Sequence, residues 1–122
     1  MDRWWFLAIP LVFLAGCGFP AAKVDEAKGH VKAALDKWQA GGKSEELKAQ
    51  SPPVEFYEAL WTAGEKLESF EMDEVKYVEA EKVVRCNVRL TLRNKKGKTH
   101  TEGVTYDVIL GQPVKIVNNP MP

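Results

Sequence analysis

The chain has 122 residues, and its 17 lysines and arginines are balanced by 17 aspartates and glutamates, so the formal net charge is zero. This length is typical of a single domain. The even charge balance argues against binding to nucleic acid or to an anionic membrane surface, since both favour a basic excess. Cys17 and Cys86 are too few for a disulfide framework. A packed apolar core must therefore hold the domain together.

The first 16 residues, MDRWWFLAIPLVFLAG, are typical of a secretory signal peptide. Arg3 supplies a positive charge near the start, and the run from Trp4 to Ala15 is apolar, interrupted only by Pro10. This run is shorter than the about 20 residues that a transmembrane helix needs. A short buried helix is the alternative, but Pro10 would break it and no polar face would meet water.

The apolar run ends in the residues LAGC, at positions 14–17. This tetrapeptide resembles the lipobox of bacterial lipoproteins. The resemblance implies cleavage after Gly16, attachment of lipid to Cys17, and a membrane-anchored protein that faces the periplasm or the cell exterior. The alternative is an ordinary signal peptide followed by a chance cysteine. We therefore expect a leader over residues 1–16, a lipidated tether over 17–23 and one domain over 24–118.

The first half of the expected domain has helical periodicity. Apolar residues from Val24 to Trp38 recur at spacings of three, four and seven, which predicts an amphipathic helix over residues 23–40. Ser44 followed by two glutamates predicts a second, short helix over residues 44–49. The stretch 54–64, VEFYEALWTAG, permits either a helix of two turns or a tight aromatic turn.

The second half of the domain has the periodicity of strands. Apolar residues from Leu67 to Val78 predict a first strand with a bulge or break near Asp73. Residues 84–93 alternate strictly between apolar and polar, which predicts a strand with one buried face. The sequence NKKGK at 94–98 predicts a hairpin turn, followed by a return strand through residue 110 and a short last strand at 114–117.

This order of elements predicts an α+β domain, in which one long helix packs on an antiparallel sheet of three to four strands. It resembles the cystatin-like or nuclear-transport-factor-two-like fold, in which a curved sheet wraps one long helix. Segments such as DKWQAGG (36–42), LWTAGEKL (60–67) and RCNVRLTLRNKKGK (85–98) also resemble small uncharacterised domains of bacterial lipoproteins. The predicted core consists of Val31, Leu35, Trp38, Leu67, Phe70, Val84, Cys86, Val88, Leu90, Leu92, Val104, Tyr106, Val108 and Ile116.

Few residues in the sequence indicate catalysis. In folds of this type, a polar residue that points into the pocket of the sheet can act as a base. His30 with Tyr57 or Tyr106 is therefore a candidate acid–base pair. The alternative is a half-exposed boundary histidine. His100 and Cys86 lie apart in the sequence and show no metal-ligand spacing, and no motif indicates a cofactor.

Two further groups of residues have alternative interpretations. Arg85, Arg89 and Arg93 lie on the polar face of one predicted strand, where they form either a basic strip for an anionic partner or a solvated face with Asp107 and Glu102 opposite. Trp38 and Trp61 pack together in the core, or, as the alternative, Trp61 and Phe56 are exposed and form an aromatic patch.

The sequence therefore predicts a lipid-anchored envelope protein with a non-catalytic binding or structural domain of unknown partner. The alternative is a small enzyme or ligand-binding pocket of the same fold that uses His30 and a tyrosine. A deep cavity between the helix and the sheet would favour this alternative.

Overall fold

The structure is a computed structural model that describes residues 19–120, and of Phe19 and Pro20 it describes only the backbone. Helix α1 is followed by a 3-10 helix, a short strand, a single-turn helix and four further strands. The elements are α1 (Phe19–Gln39), the 3-10 helix (Ser44–Ala49), β1 (Val54–Phe56), α2 (Ala59–Thr62), β2 (Lys66–Val78), β3 (Val83–Arg93), β4 (Thr99–Ile109) and β5 (Val114–Asn118). Within residues 19–120, no helix is both long enough and apolar enough to cross a membrane.

The sheet has five strands in the order β1-β5-β4-β3-β2. Strands β2 to β5 form an antiparallel meander, whereas β1 pairs with β5 in parallel. The α+β class is thus confirmed, but the prediction of three to four antiparallel strands was wrong. The missing strand, β1, lies within the stretch predicted as a helix or an aromatic turn. Three residues cannot display a clear alternation, and the partner of Val54 is Val114, far along the chain.

Helix α1 is confirmed from residue 23 onward, but it begins at Phe19, inside the segment predicted as a tether. It ends at Gln39, and Gly41 follows with a φ of +89°, a conformation that glycine adopts without steric cost. The amides of Gly41 and Gly42 donate to the carbonyls of Trp38 and Lys37, which completes the C-terminal cap.

The predicted strands are also confirmed. The pairing of β2 with β3 shifts register between Met72 and Val75, at the position where the sequence predicts a bulge. In the turn between β3 and β4, the Asn94 side chain accepts hydrogen bonds from the amides of Lys96 and Lys98, and Gly97 has a φ of +86°. A local turn with these residues fixes the register of β3 and β4, which pair without a shift.

One apolar core lies between α1 and the inner face of the sheet. Ala27, Val31, Ala34 and Leu35 of the helix have no exposed surface, so the apolar stripe is buried along its length. Of the predicted core, Phe70 and Val104 are only partly buried, while all other members are buried. The core also contains residues that the prediction did not include, namely Ala27, Ala34, Leu47, Val54, Phe56, Val83 and Val114.

Candidate functional site

The residues predicted to carry the lipid, Cys17 and the preceding Gly16, lie outside the described residues. The prediction of cleavage and acylation therefore stays a prediction. What the structure adds is the position of α1, whose first residue, Phe19, follows Cys17 by two positions. A rigid helix thus begins almost at the predicted attachment point.

His30 lies on α1 at the border of the buried stripe, and its side chain is 17% exposed. Its Nε2 atom lies 3.8 Å from Oε2 of Glu26, one helical turn earlier. The nearest charged partner of this histidine is therefore a carboxylate of its own helix.

Tyr106 lies in the middle of β4 and is completely buried. Its hydroxyl donates a short hydrogen bond to Oε2 of Glu58, whose side chain is also buried, while Oε1 of Glu58 accepts a 3.0 Å hydrogen bond from the amide of Leu60. Burial, and then the adjacent carboxylate, raise the pKa of the Tyr106 phenol far above its usual range. His30 and Tyr106 are thus each engaged by a different carboxylate.

Glu58 was not among the predicted site residues, although its sequence position gives two signals. It occupies the N-cap position of α2, where an acidic side chain commonly accepts a backbone hydrogen bond. It also continues the alternation of Val54 and Phe56, whose side chains are buried. The period-two pattern therefore places Glu58 on the inner side of the sheet, where it meets Tyr106.

Cys86 is a free, buried cysteine in β3. Burial raises the pKa of its thiol to about 11, so the reactive thiolate is scarce at neutral pH. Within residues 19–120, no group of three or more His, Cys, Asp or Glu side chains is arranged to hold a metal ion. Cys86 behaves as a small apolar core residue.

The three arginines of β3 are all paired with carboxylates on the outer face of the sheet. Arg85 donates to both carboxylate oxygens of Asp107, at 2.8 and 3.0 Å, and to Glu81 at 2.7 Å. This arginine, and then Asn119, hold the pKa of Asp107 below its usual range, although burial acts in the opposite direction.

The other two arginines contact the neighbouring strand. Arg89 lies within 2.8 Å of both Glu71 and Asp73, and Arg93 lies 2.8 Å from Glu68. Because their charges are already paired, the three arginines fit the interpretation as a solvated face better than the interpretation as a basic strip for an anionic partner. Of the two predicted acidic partners, Asp107 is confirmed. The prediction of Glu102 as a partner was wrong. Glu102 lies directly opposite the inward-facing Leu90 and is therefore on the other face of the sheet from the arginines.

Four aromatic side chains, hereafter the aromatic corner, connect the end of α1 to β1, α2 and β4. The rings of Trp38 and Trp61 stack with centroids 5.5 Å apart, and Phe56 makes edge-on contacts with Trp61 and Tyr106 at 6.0 and 5.1 Å. The indole groups of Trp38 and Trp61 donate to the carbonyls of Glu65 and Gly42. Trp38 and Phe56 are core residues, whereas Trp61 is partly exposed.

A surface cleft of about 380 Å³, hereafter the aromatic cleft, opens beside the aromatic corner. It lies between the 3-10 helix and α2, and it is lined by Lys43, Ser44, Glu45, Lys48, Phe56, Tyr57, Trp61 and Thr62. Tyr57 is 66% exposed, and Nζ of Lys48 lies 5.3 Å from the centroid of its ring. The lining contains aromatic surface and two cations, but no histidine or cysteine. Together with Glu45, these groups give the cleft both apolar and charged surface that a ligand can contact.

Comparison with known proteins places the chain in no family. No protein-family model matches it, and no curated protein or solved structure matches it either. Its function must therefore be inferred from its own residues and their geometry.

Proposed function

We propose that this chain is a lipid-anchored protein of the bacterial cell envelope, and that its domain is a non-catalytic binding module facing the periplasm or the cell exterior. The residues LAGC at the end of an apolar leader support the anchor. Two acyl chains hold a protein stably at a bilayer, since each buried methylene contributes about 0.8 kcal/mol.

A cystatin-like or nuclear-transport-factor-two-like architecture is part of this proposal. One long helix laid on an antiparallel meander supports it. The parallel strand β1 extends the meander at the edge next to β5. This extension matters for function because β1 leads directly into Tyr57 and Glu58 at the aromatic corner.

The observation that carries the binding-module proposal is the close packing at the centre of the interface between helix and sheet, where the cavity beside Lys23, at the N-terminal end of α1, measures only about 120 Å³. Ala34 and Leu35 of α1, and Cys86, Val88 and Leu90 of β3, are at most 2% exposed. Side chains thus occupy the space where a pocket enzyme of this fold would hold its substrate. His30 and Tyr106, the residues of the alternative enzyme, are each paired with a different carboxylate. A ligand would instead bind at the surface, and the aromatic cleft is the site we propose.

The position of the cleft is compatible with a lipid anchor. Gly18 is the one residue between Cys17 and the start of α1, so the Cα atoms of Cys17 and Phe19 can be at most about 7 Å apart. Helix α1 has 21 residues and is about 31 Å long. The aromatic cleft lies near the C-terminal end of this helix, since Trp61 donates to the carbonyl of Gly42. A lipid on Cys17 would therefore leave the cleft free.

Replacement of the lipidated cysteine tests the anchor. We expect Cys17→Ser, expressed as the full chain in bacteria, to move from the membrane fraction to the soluble fraction, because serine lacks the thiol that receives the lipid. The matched control is Cys86→Ala, which should remain in the membrane fraction. A Cys17→Ser protein that still sediments with membranes would contradict the proposal.

A further inference from the structure

Five exposed lysines, hereafter the lysine tip, lie near the C-terminal end of α1. They come from three separate segments: the loop after α1, the start of β2, and the turn between β3 and β4. The members of the tip are Lys43, Lys66, Lys95, Lys96 and Lys98.

Contacts around the stacked tryptophans bring these segments together. Trp61 donates to the carbonyl of Gly42, next to Lys43, and Trp38 donates to the carbonyl of Glu65, next to Lys66. The hairpin turn joins them because the Lys95 side chain lies against Gly64, where an added Cβ would come within 2.8 Å of Cε.

Several carboxylates near the lysine tip have partners outside the tip. Glu65 lies 2.8 Å from His100, Glu68 lies 2.8 Å from Arg93, and Glu46 lies 3.4 Å from Lys37. Within residues 19–120, none of the five tip lysines forms an ion pair with a carboxylate. Glu45 is an exposed acidic residue in the lining of the aromatic cleft.

The lysine tip is therefore a local excess of positive charge on a chain whose net charge is zero. Whole-chain neutrality argues against strong attraction to polyanions at long range, but it does not describe one end of the domain. A local field of this sign attracts anionic groups and weakens as salt increases. Composition does not reveal this local excess of charge, because the five lysines are dispersed over more than 50 positions of the sequence, from 43 to 98.

The aromatic cleft and the lysine tip share Lys43. We propose that together they bind a saccharide that carries carboxylate or phosphate groups, an inference that rests on the proposed binding function of the cleft. The apolar faces of sugar rings can pack on Tyr57 and Trp61, while Lys43 and Lys48 meet the anionic substituents. The cleft volume of about 380 Å³ lies within the range of small-ligand sites.

Calorimetric titration of the full-length protein in detergent tests this proposal. The probes are an oligogalacturonate for carboxylate, a phosphorylated maltooligosaccharide for phosphate, and an unmodified maltooligosaccharide of equal length as the neutral reference. We expect at least one anionic probe to bind about tenfold more tightly than the neutral one at low salt, with the preference weakening at high salt.

Variants then locate the binding surface. Two variants should each weaken binding of the anionic probe by about tenfold. One is the triple variant of the hairpin turn, Lys95→Gln/Lys96→Gln/Lys98→Gln, and the other is the double variant of the cleft, Lys43→Gln/Lys48→Gln. The matched control, Lys28→Gln/Lys76→Gln/Lys115→Gln, also removes three exposed lysines, but away from the tip, and should change binding by less than about twofold. Tyr57→Ala should weaken the binding of the saccharide probes, because it removes the most exposed aromatic surface of the cleft.

Three results would overturn the proposal. Neither anionic probe binds, or the control variant loses as much binding as the lysine-tip variants do. The third is that poly-glutamate binds as tightly as the anionic saccharide and does so without Tyr57. The last result would indicate a surface for acidic protein chains. The proposal of a lipid anchor and the proposal of an anionic saccharide ligand can be contradicted independently. Cys17→Ser tests membrane attachment alone and should leave the saccharide titration unchanged.

Discussion

The outer face of the sheet and the aromatic corner both hold carboxylates, but they hold them in opposite ways. On the outer face, carboxylates lie opposite arginines: Glu71 and Asp73 are exposed, whereas the side chain of Asp107 is only 12% exposed. At the aromatic corner, Glu58 is buried without a cationic partner in hydrogen-bonding contact, and its two oxygens accept hydrogen bonds from a phenol and a backbone amide. The exposed pairs of the first arrangement tolerate the loss of a partner because water can replace it. The second does not.

This difference indicates where the fold is most tightly specified. Glu58 joins the N-terminus of α2 to the centre of β4, so it fixes the corner that forms one wall of the aromatic cleft. The ion pairs of the outer face contribute to solubility and register, with small individual effects on stability.

The largest expected effect is that of Glu58→Ala. Removing the carboxyl group leaves the buried Tyr106 hydroxyl and the Leu60 amide without their acceptor, and we expect the free energy of unfolding to fall by about 3 kcal/mol. Urea denaturation followed by circular dichroism measures this change.

Two controls isolate the role of the carboxyl group. Glu58→Gln retains an acceptor for Leu60 and should cost less than Glu58→Ala, while Tyr57→Phe, at the exposed neighbouring position, should leave stability within about 0.5 kcal/mol of the original. A Glu58→Ala protein as stable as the Tyr57→Phe control would contradict the comparison of the two regions.

Asp107→Asn should have an intermediate effect of about 1 kcal/mol, because it weakens a two-oxygen contact with Arg85 but leaves an oxygen acceptor and the partner Glu81 in place. The pKa of Asp107 is lowered in the folded state, so its contribution is present above the unfolded pKa of about 4 and is lost as the pH falls through the lower folded value.

The stability difference between the original protein and Asp107→Asn should therefore be largest near neutral pH and shrink below about pH 4. Chemical denaturation over a pH series measures it. A difference that grows on acidification would show that the interaction with Arg85 does not lower the pKa of Asp107.

The smallest effect is expected for Arg89→Ala. Arg89 is half-exposed, and its partners Glu71 and Asp73 are exposed as well, so the variant should lose about 0.5 kcal/mol or less. Thermal unfolding at low and high salt is the appropriate measurement. A loss as large as that of Glu58→Ala would remove the distinction between the two regions.

The central part of the fold could be predicted from sequence because its signals are local. Strand β3 alternates over its length and is joined to β4 by a turn of suitable residues. The start of α1 could not be predicted in this way, since Ala21 and Ala22 are exposed and add nothing to the apolar stripe. Pro20 is compatible with a first helical turn, where its missing amide hydrogen is not needed.

The candidate site was less predictable than the fold. Residue type alone suggested His30 and Tyr106, but the chemistry of a side chain depends on its partners. The partner of Tyr106 is Glu58, at the N-cap of α2, two residues after a strand that periodicity did not detect. The lysine tip depends on three segments that meet only after β1, α2 and the hairpin are in place. Such long-range proximity leaves no pattern in a single sequence.

Intact mass spectrometry of the protein purified from bacterial membranes tests the central claim most directly. The account predicts a chain that starts at Cys17, with 106 residues (122 − 16), and carries the additional mass of acyl chains on that residue. A chain that retains its first 16 residues, with an unmodified Cys17, would contradict it.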